Sequence, residues 1–457
     1  MLFRRLPLER AFIWSILGGY LILPPVVNFD PPVLPPFDKH SIPALSALFA
    51  LWARQGQFPS LLPQSKLARL SLAVFMLSGI GTVLSNGDAL IDGAAYRPGM
   101  GTSEVLASML SQLYLVLPLL LAQNVLRTPA AMRELVFALV VAGLAYSIPM
   151  LIEVRLSPQI NIWVYGFFQH SFAQMIRYGG FRPIVFLEHG LWVAFLAFMT
   201  FAAAVSMLRN EADKRARYFA IALYLAAVLV LCKSAGAIIY ALCFAPLALF
   251  ASRRTQIRIA AVLAFIVILY PMLRGGGLIP IDAIMGEATS MDADRSQSLG
   301  FRLANEDVLL ARAAERPLFG WGGWGRNHVH DPVTGRVMTV TDGLWVGVIG
   351  ASGWLGYLGF FGLLTLPLFE LAAKTRKKAV EIDPYLAVLA LILGASLVDL
   401  IPNATLVTVT WMIAGAIFGH MQWKASPSAV GSTTAPVPSI AATLRPAPWA
   451  TKRKPAE

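Results

Sequence analysis

The groups best able to do chemistry in this 457-residue chain are arginines, histidines and carboxylates that flank long apolar runs. Arg182 stands in Tyr178-Gly-Gly-Phe-Arg-Pro-Ile-Val-Phe-Leu-Glu-His-Gly190. Pro183 suits a first helical turn, so the pattern predicts Arg182 at a helix N-terminus. A guanidinium beside free backbone N–H groups makes an anion site; an interfacial arginine that merely snorkels is the plainer alternative. Glu188 and His189 would then sit roughly 9–10 Å into that helix, at a depth where ionisable groups are costly and tend to be paired or functional. Helical spacing puts His189 on the face of Arg182.

Arg302 opens Gly300-Phe-Arg-Leu-Ala-Asn-Glu-Asp-Val-Leu-Leu310. Glu306 follows it by one helical turn, so an intrahelical ion pair is expected, whereas Asp307 projects elsewhere and needs another partner. Arg295, Arg312 and Arg316 are further cations in the same region. His328 and His330 lie in Arg326-Asn-His-Val-His-Asp331. Such a run could begin a metal site, but no further ligands are spaced nearby, so no metal is expected and proton transfer is the remaining chemical use. Asp342 directly precedes an apolar run, where it could cap a helix or face the same cavity as the arginines.

The elements that position these groups are read from hydrophobicity. The chain is 57% hydrophobic and 14% charged, more apolar surface than a soluble domain can hide. The apolar runs are long and continuous rather than short and alternating, which favours spanning helices over a barrel. About twelve runs stand out, near 11–27, 42–53, 67–85, 104–122, 134–152, 183–208, 217–232, 235–251, 257–273, 343–370, 384–400 and 404–421. The second is short enough to be re-entrant. The fold class expected is therefore all-α, a polytopic membrane bundle with one large outer loop of helical content. Its organisation reads as a bundle over 1–273, the loop over 274–341, further spans over 342–421 and a disordered cytoplasmic tail over 422–457, rich in Ala, Pro, Ser and Thr. No internal repeat is visible.

Lys and Arg set the orientation. With the N-terminus inside, clusters such as Arg253, Arg254 and Arg258, or Lys374, Arg376, Lys377 and Lys378, fall on the cytoplasmic side. Outside, the only lysines are Lys39 and Lys233; the rest are arginines, the residue best shaped to grip phosphate. The net charge of +12 is thereby assigned to topology and anionic lipid rather than to nucleic acid. Cys232 and Cys243 lie in apolar stretches and read as packing residues. The basic start and apolar 11–27 run lack a small-residue cleavage site, so a retained helix is expected. P-loop, dinucleotide, HExxH and nucleophile-elbow patterns are all missing.

The segment from Phe301-Arg302 to Pro317-Leu-Phe-Gly-Trp-Gly-Gly-Trp-Gly325 resembles the conserved region of the O-antigen polymerase and ligase superfamily. Asp342-Gly-Leu-Trp through Gly353-Trp-Leu-Gly356 is similar to the small-residue span that follows it there, and Lys233-Ser-Ala-Gly236 to a short polar turn. The family often has His-Asn where this chain has Thr341-Asp342, and its ligase branch favours a His-x-type motif at a fixed distance from a glycine, whereas the histidines here lie earlier, at His328 and His330, which weakens the ligase reading. The resemblance implies a GT-C-like glycosyltransferase that needs no cofactor. It would move an undecaprenyl-pyrophosphate-linked glycan onto a sugar hydroxyl of the next lipid-linked repeat unit, at the periplasmic face of a bacterial inner membrane with both termini cytoplasmic. Arg182 and Arg302, with Lys233 third, would meet the departing pyrophosphate. His330, His189, Glu188, Asp307 and Asp342 are candidate bases, Arg295 a further cation, and Trp324, with Trp321, a surface for stacking on sugar. Expected partners are membrane lipids, a chain-length regulator or other polysaccharide-assembly proteins, and no nucleic acid. A ligase acting on lipid A core or protein, or a lipid-linked oligosaccharide flippase, are the rival readings.

Overall fold

A computed structural model describes residues 1–32, 34–291 and 293–423. The expected disordered tail therefore lies almost wholly outside the described residues. Sixteen α-helices are described: α1 (Leu2–Arg5), α2 (Leu8–Ile22), α3 (Ser41–Gln55), α4 (Lys66–Leu84), α5 (Ser103–Val125), α6 (Pro129–Leu156), α7 (Ile160–Tyr165) and α8 (Gly190–Asn210), then α9 (Arg215–Leu231), α10 (Ala235–Phe250), α11 (Arg253–Gly275), α12 (Ile281–Met291), α13 (Ala293–Ala314), α14 (Leu344–Arg376), α15 (Pro384–Asp399) and α16 (Thr408–His420). Six of them, α4, α5, α6, α8, α11 and α14, are long and apolar enough to cross a membrane. Met1–Gln422 forms one compact unit. The chain is not purely helical. Two antiparallel ribbons, β1 (Leu90–Asp92) with β2 (Ala95–Arg97) and β3 (Ile176–Arg177) with β4 (Gly180–Phe181), were not anticipated.

Small residues bring the helices together. Gly359 of α14 meets α4 so closely that an added Cβ would lie 2.6 Å from the Phe75 nitrogen, and the Ser71 hydroxyl donates to the Gly359 carbonyl at 2.9 Å. Such close approach is how apolar helices gain contact where lipid competes for apolar surface. Helix α14 is also broken. Gly353 has φ 66° and ψ −172°, a conformation open to glycine, and the Pro317–Gly322 backbone enters the gap. Trp321 N–H donates to the Gly350 carbonyl at 2.8 Å, Gly322 N–H to Ala351 at 2.9 Å, and Trp354 N–H to Pro317 at 2.8 Å. The glycine-rich run is thus a strand-like insert that supplies partners to a helix whose own ladder stops. It anchors the late loop to the bundle just ahead of Arg326.

Candidate functional site

The site begins with a carboxylate distant in sequence. Glu153, fully buried near the end of α6, accepts the N–H groups of Ile160 at 3.0 Å, Ile184 at 2.7 Å and Val185 at 2.8 Å. Tyr146 Oη accepts from Phe186 N–H at 3.0 Å, and Lys39 Nζ donates to the Phe186 carbonyl at 2.6 Å. These partners satisfy the backbone of 184–186 without a helix, and Val185 takes φ 50°. The helix expected from Pro183 therefore starts only at Gly190. Arg182 does not occupy a helix N-terminus in sequence, and Glu188 and His189 are not buried one to two turns down. Arg182 nevertheless reaches one in space, because it folds across Gly190. A Cβ there would lie 2.1 Å from Arg182 Cδ.

A cavity of about 660 Å³ gathers Arg182, Glu188, His189, Lys233, Arg302 and Asp342, within the size range of ordinary ligand pockets. Arg182 is 6% exposed. Its Nη2 donates to the Lys233 carbonyl at 2.9 Å, and its Nε has no partner among the described residues. Burial, with Arg177 and Arg302 nearby, pushes its pKa down to about 10. Lys233 sits at the tight turn between α9 and α10 with φ 52°, which turns its carbonyl toward Arg182 while Nζ donates to the Arg177 carbonyl at 2.9 Å. Arg302 does not pair with Glu306. Its Nη1 donates to the Pro402 carbonyl at 3.0 Å and Asn403 Oδ1 at 3.3 Å, and its Nε stands 3.9 Å from Asp342 Oδ2. Ala235, Gly236 and Ala237, in the first turn of α10, also line the space, so the positive end of that helix's dipole adds to the cationic field.

His189 caps α8. Its Nδ1 accepts Leu191 N–H at 3.0 Å, which puts the ring proton on Nε2, 3.1 Å from Gln174 Oε1. Burial, followed by His170, Arg182, Arg177 and Arg302, pushes its pKa down to about 3. Both nitrogens are engaged in this neutral ring, so the geometry does not support the expected base. Glu188 accepts from His40 Nε2 at 3.1 Å and lies 3.6 Å from Lys39 Nζ. Burial works to raise its pKa, but the His40 hydrogen bond and the Lys39 charge outweigh it and leave the carboxyl below its usual range.

Three expected residues stand outside the cavity. His330 is buried under the β1–β2 ribbon, its Nδ1 3.8 Å from Asp92 Oδ2; close packing of Gly335 on Ala95 holds that loop against the ribbon. Asp307 pairs with Arg274 at 2.7 Å. Trp324 is 59% exposed, and its neighbour Trp321 is instead held against the Arg312 guanidinium, 3.4 Å from the ring centre, and that of Arg316 at 4.3 Å. The side chain of Arg295 lies outside the described residues. Among the described residues no trio of His, Cys, Asp or Glu is grouped to hold a metal ion.

Several lining residues escaped the sequence reading: His170, Gln174, Arg177, Tyr240, Asp399 and Asn403. Asp399 had a signal, since an acid at the end of an apolar run is costly unless partnered. It is bonded by the Thr405 hydroxyl and by Asn403 Nδ2 at 3.0 Å, and so ties Asn403 to Arg302. Comparison of the chain with protein-family models and with curated proteins finds no match.

Proposed function

We propose that this chain is a polytopic membrane glycosyltransferase, a polysaccharide polymerase that moves a glycan from polyprenyl pyrophosphate to a sugar hydroxyl of the next lipid-linked unit. One observation carries the reading. Among the described residues three arginines are buried, and two have carboxylate company: Arg274 with Asp307 at 2.7 Å and Glu306 at 3.5 Å, and Arg326 with Asp88 at 3.8 Å plus three carbonyls. Among the described residues Arg182 has one carbonyl and no carboxylate partner, and it lines a cavity shared with Arg302 and Lys233. A buried guanidinium without a counter-ion is unfavourable, and an anionic ligand removes the penalty.

The reaction needs little more. The acceptor oxygen bonds to the anomeric carbon as the carbon–oxygen bond to pyrophosphate breaks, and the electron pair leaves with the diphosphate. Arg182, Arg302, Lys233 and the first turn of α10 meet the charge that grows there. The acceptor proton passes to a carboxylate of the wall, Glu188 or Asp342. In this reading the twelve apolar helices all span or enter the inner membrane, both termini are cytoplasmic and the 274–341 loop is periplasmic. Deleting the gene and examining lipid-linked glycans tests it. Single repeat units stranded outside are expected. Long lipid-linked polymer outside indicates a ligase instead, and units trapped on the cytoplasmic leaflet indicate a flippase. In purified protein Arg182→Ala should lower the rate about 30- to 150-fold, the worth of one charged phosphate contact of roughly 2–3 kcal/mol; an unchanged rate refutes the assignment of Arg182.

A further inference from the structure

A second space, about 330 Å³, lies among α4, α5 and α14. All three helices are long and apolar enough to cross a membrane, so a cleft among them opens to hydrocarbon. Phe75 and Gly79 of α4, Ser111 and Leu115 of α5, and Val348 and Ala351 of α14 line it. Leu115 is 37% exposed, Ser111 is exposed, and Val348 and Ala351 are half-buried, so these side chains are within reach of a molecule that enters. Gly322 packs on Met100 at the end where α4 stops and α5 begins. Beside it Gly323 also lines the cleft, and nothing stands within 4 Å of a Cβ built there, so that end is open.

The lining differs in chemistry from the anion cavity. Among the described residues no charged side chain lines the cleft. The Ser111 hydroxyl donates to the Ala107 carbonyl at 2.9 Å and the Thr82 hydroxyl to the Ser78 carbonyl at 2.8 Å, so their protons are already placed. A hydrocarbon chain fits such a surface. Bilayer lipid is as apolar as the lining, so close packing holds a chain there rather than hydrophobic drive, and a headgroup fixed nearby must supply the rest. The anion cavity adjoins. Thr341 lines that cavity, Gly347 lines the cleft, and a Cβ on Gly347 would lie 2.8 Å from Thr341 Cγ2. At this point one threonine side chain separates the two spaces. Arg182, Arg302 and Lys233 offer three cations on the far side, which suits a diphosphate better than the single phosphate of a common phospholipid.

We propose that the cleft between α5 and α14 holds the isoprenoid chain of the donor, the polyprenyl diphosphate that carries the growing glycan, with its two phosphates in the anion cavity and the chain crossing over Thr341. The inference deepens the glycosyl-transfer reading and rests on it for the identity of the donor. It fixes the direction from which the donor lies across the site: the chain enters from the α14 side, and the glycan extends away from it past the arginines.

The test uses the full chain in phosphatidylcholine nanodiscs and a prenyl diphosphate of farnesyl length that carries a benzophenone at the far end of its chain. Irradiation and peptide mapping by mass spectrometry should find adducts on α5 and on the first half of α14. Excess geranylgeranyl diphosphate should suppress them and dioleoyl phosphatidic acid should not. Ala351→Phe and Leu115→Trp fill the cleft from different helices, and each should lose the adducts. Inorganic pyrophosphate, titrated into the same samples, reads the anion cavity separately and should bind wild type and both variants alike, which also shows that the variants are folded. Pyrophosphate binding with adducts elsewhere overturns the cleft alone, as do adducts that both variants retain. Equal suppression by phosphatidic acid overturns the isoprenoid chain as the occupant and makes the cleft an ordinary lipid site. Adducts in the cleft with no pyrophosphate binding overturn the glycosyl-transfer reading and leave a prenyl groove standing.

Discussion

Gly190→Ala separates the fold from the site. In most helices glycine to alanine is favourable by up to about 1 kcal/mol, and Gly190 has no positive φ to forbid a side chain. Here the new Cβ would stand 2.1 Å from Arg182 Cδ and 2.6 Å from its Cγ, whereas ordinary contact begins near 3.4 Å. The arginine must give way by more than about 1 Å, since the helix backbone is fixed by its own ladder. Its guanidinium is held by one 2.9 Å bond to the Lys233 carbonyl, which a movement of that size breaks. Misplacement by about 1 Å can cost on the order of 100-fold in rate. For the proposed polymerase activity the assay is the initial rate of glycan extension on lipid-linked repeat units in nanodiscs, run beside thermal unfolding and pyrophosphate titration. Gly190→Ala should unfold at or near the wild-type temperature, bind pyrophosphate more weakly and extend glycan about 10- to 100-fold more slowly. Gly18→Ala is the control, because its Cβ meets nothing nearer than Trp14 at 4.0 Å. Wild-type rate and pyrophosphate affinity in Gly190→Ala would show that the position of Arg182 does not matter and refute the reasoning.

Glu153→Gln should lower stability by about 2–3 kcal/mol, because an amide has one acceptor oxygen for three buried N–H groups that the carboxylate serves; thermal unfolding in detergent measures it, and an unchanged midpoint shows that the 184–186 segment does not depend on Glu153. His189 gives a pH signature. Its folded pKa, about 3, lies below the roughly 6.5 of an unfolded histidine, so the unfolded chain binds more protons between those values and stability falls as pH drops through that window, by up to about 1.4 kcal/mol per unit. His189→Asn, which keeps an oxygen for the Leu191 N–H, should flatten that slope; an identical slope places the titration elsewhere. Gly359→Ala should cost about 1–3 kcal/mol through overpacking on Phe75, read from unfolding midpoints.

The helices were more legible than the cavity, for a physical reason. Apolar runs are local signals, and each of the twelve runs carries a helix; among the described residues six helices are long and apolar enough to cross a membrane. Errors arose where a distant residue decides local structure. Pro183 invites a helix, but Glu153, Tyr146 and Lys39 capture the following backbone first. Gly353 reads as one more small residue in an apolar span, and nothing nearby in sequence announces that Pro317–Gly322 will fill a break there. The His-x-His spacing looks chemical, yet the β1–β2 ribbon covers His330.

The arginines show the same limit in sharper form. Arg182, Arg274, Arg302 and Arg326 look alike in sequence, each a cation at the edge of an apolar or amphipathic run. What separates them is the company supplied by other segments. Asp307 and Glu306 answer Arg274, Asp88 and carbonyls answer Arg326, and the Asp399–Asn403 pair steadies Arg302 from the far end of α15. A neutralised arginine holds a fold together, whereas in the proposed function the one left with a single carbonyl keeps its charge for an anionic ligand. Glu306→Gln and Arg182→Met therefore address different properties of the protein: the first removes a countercharge from a structural pair, and the second removes the charge that the cavity keeps open.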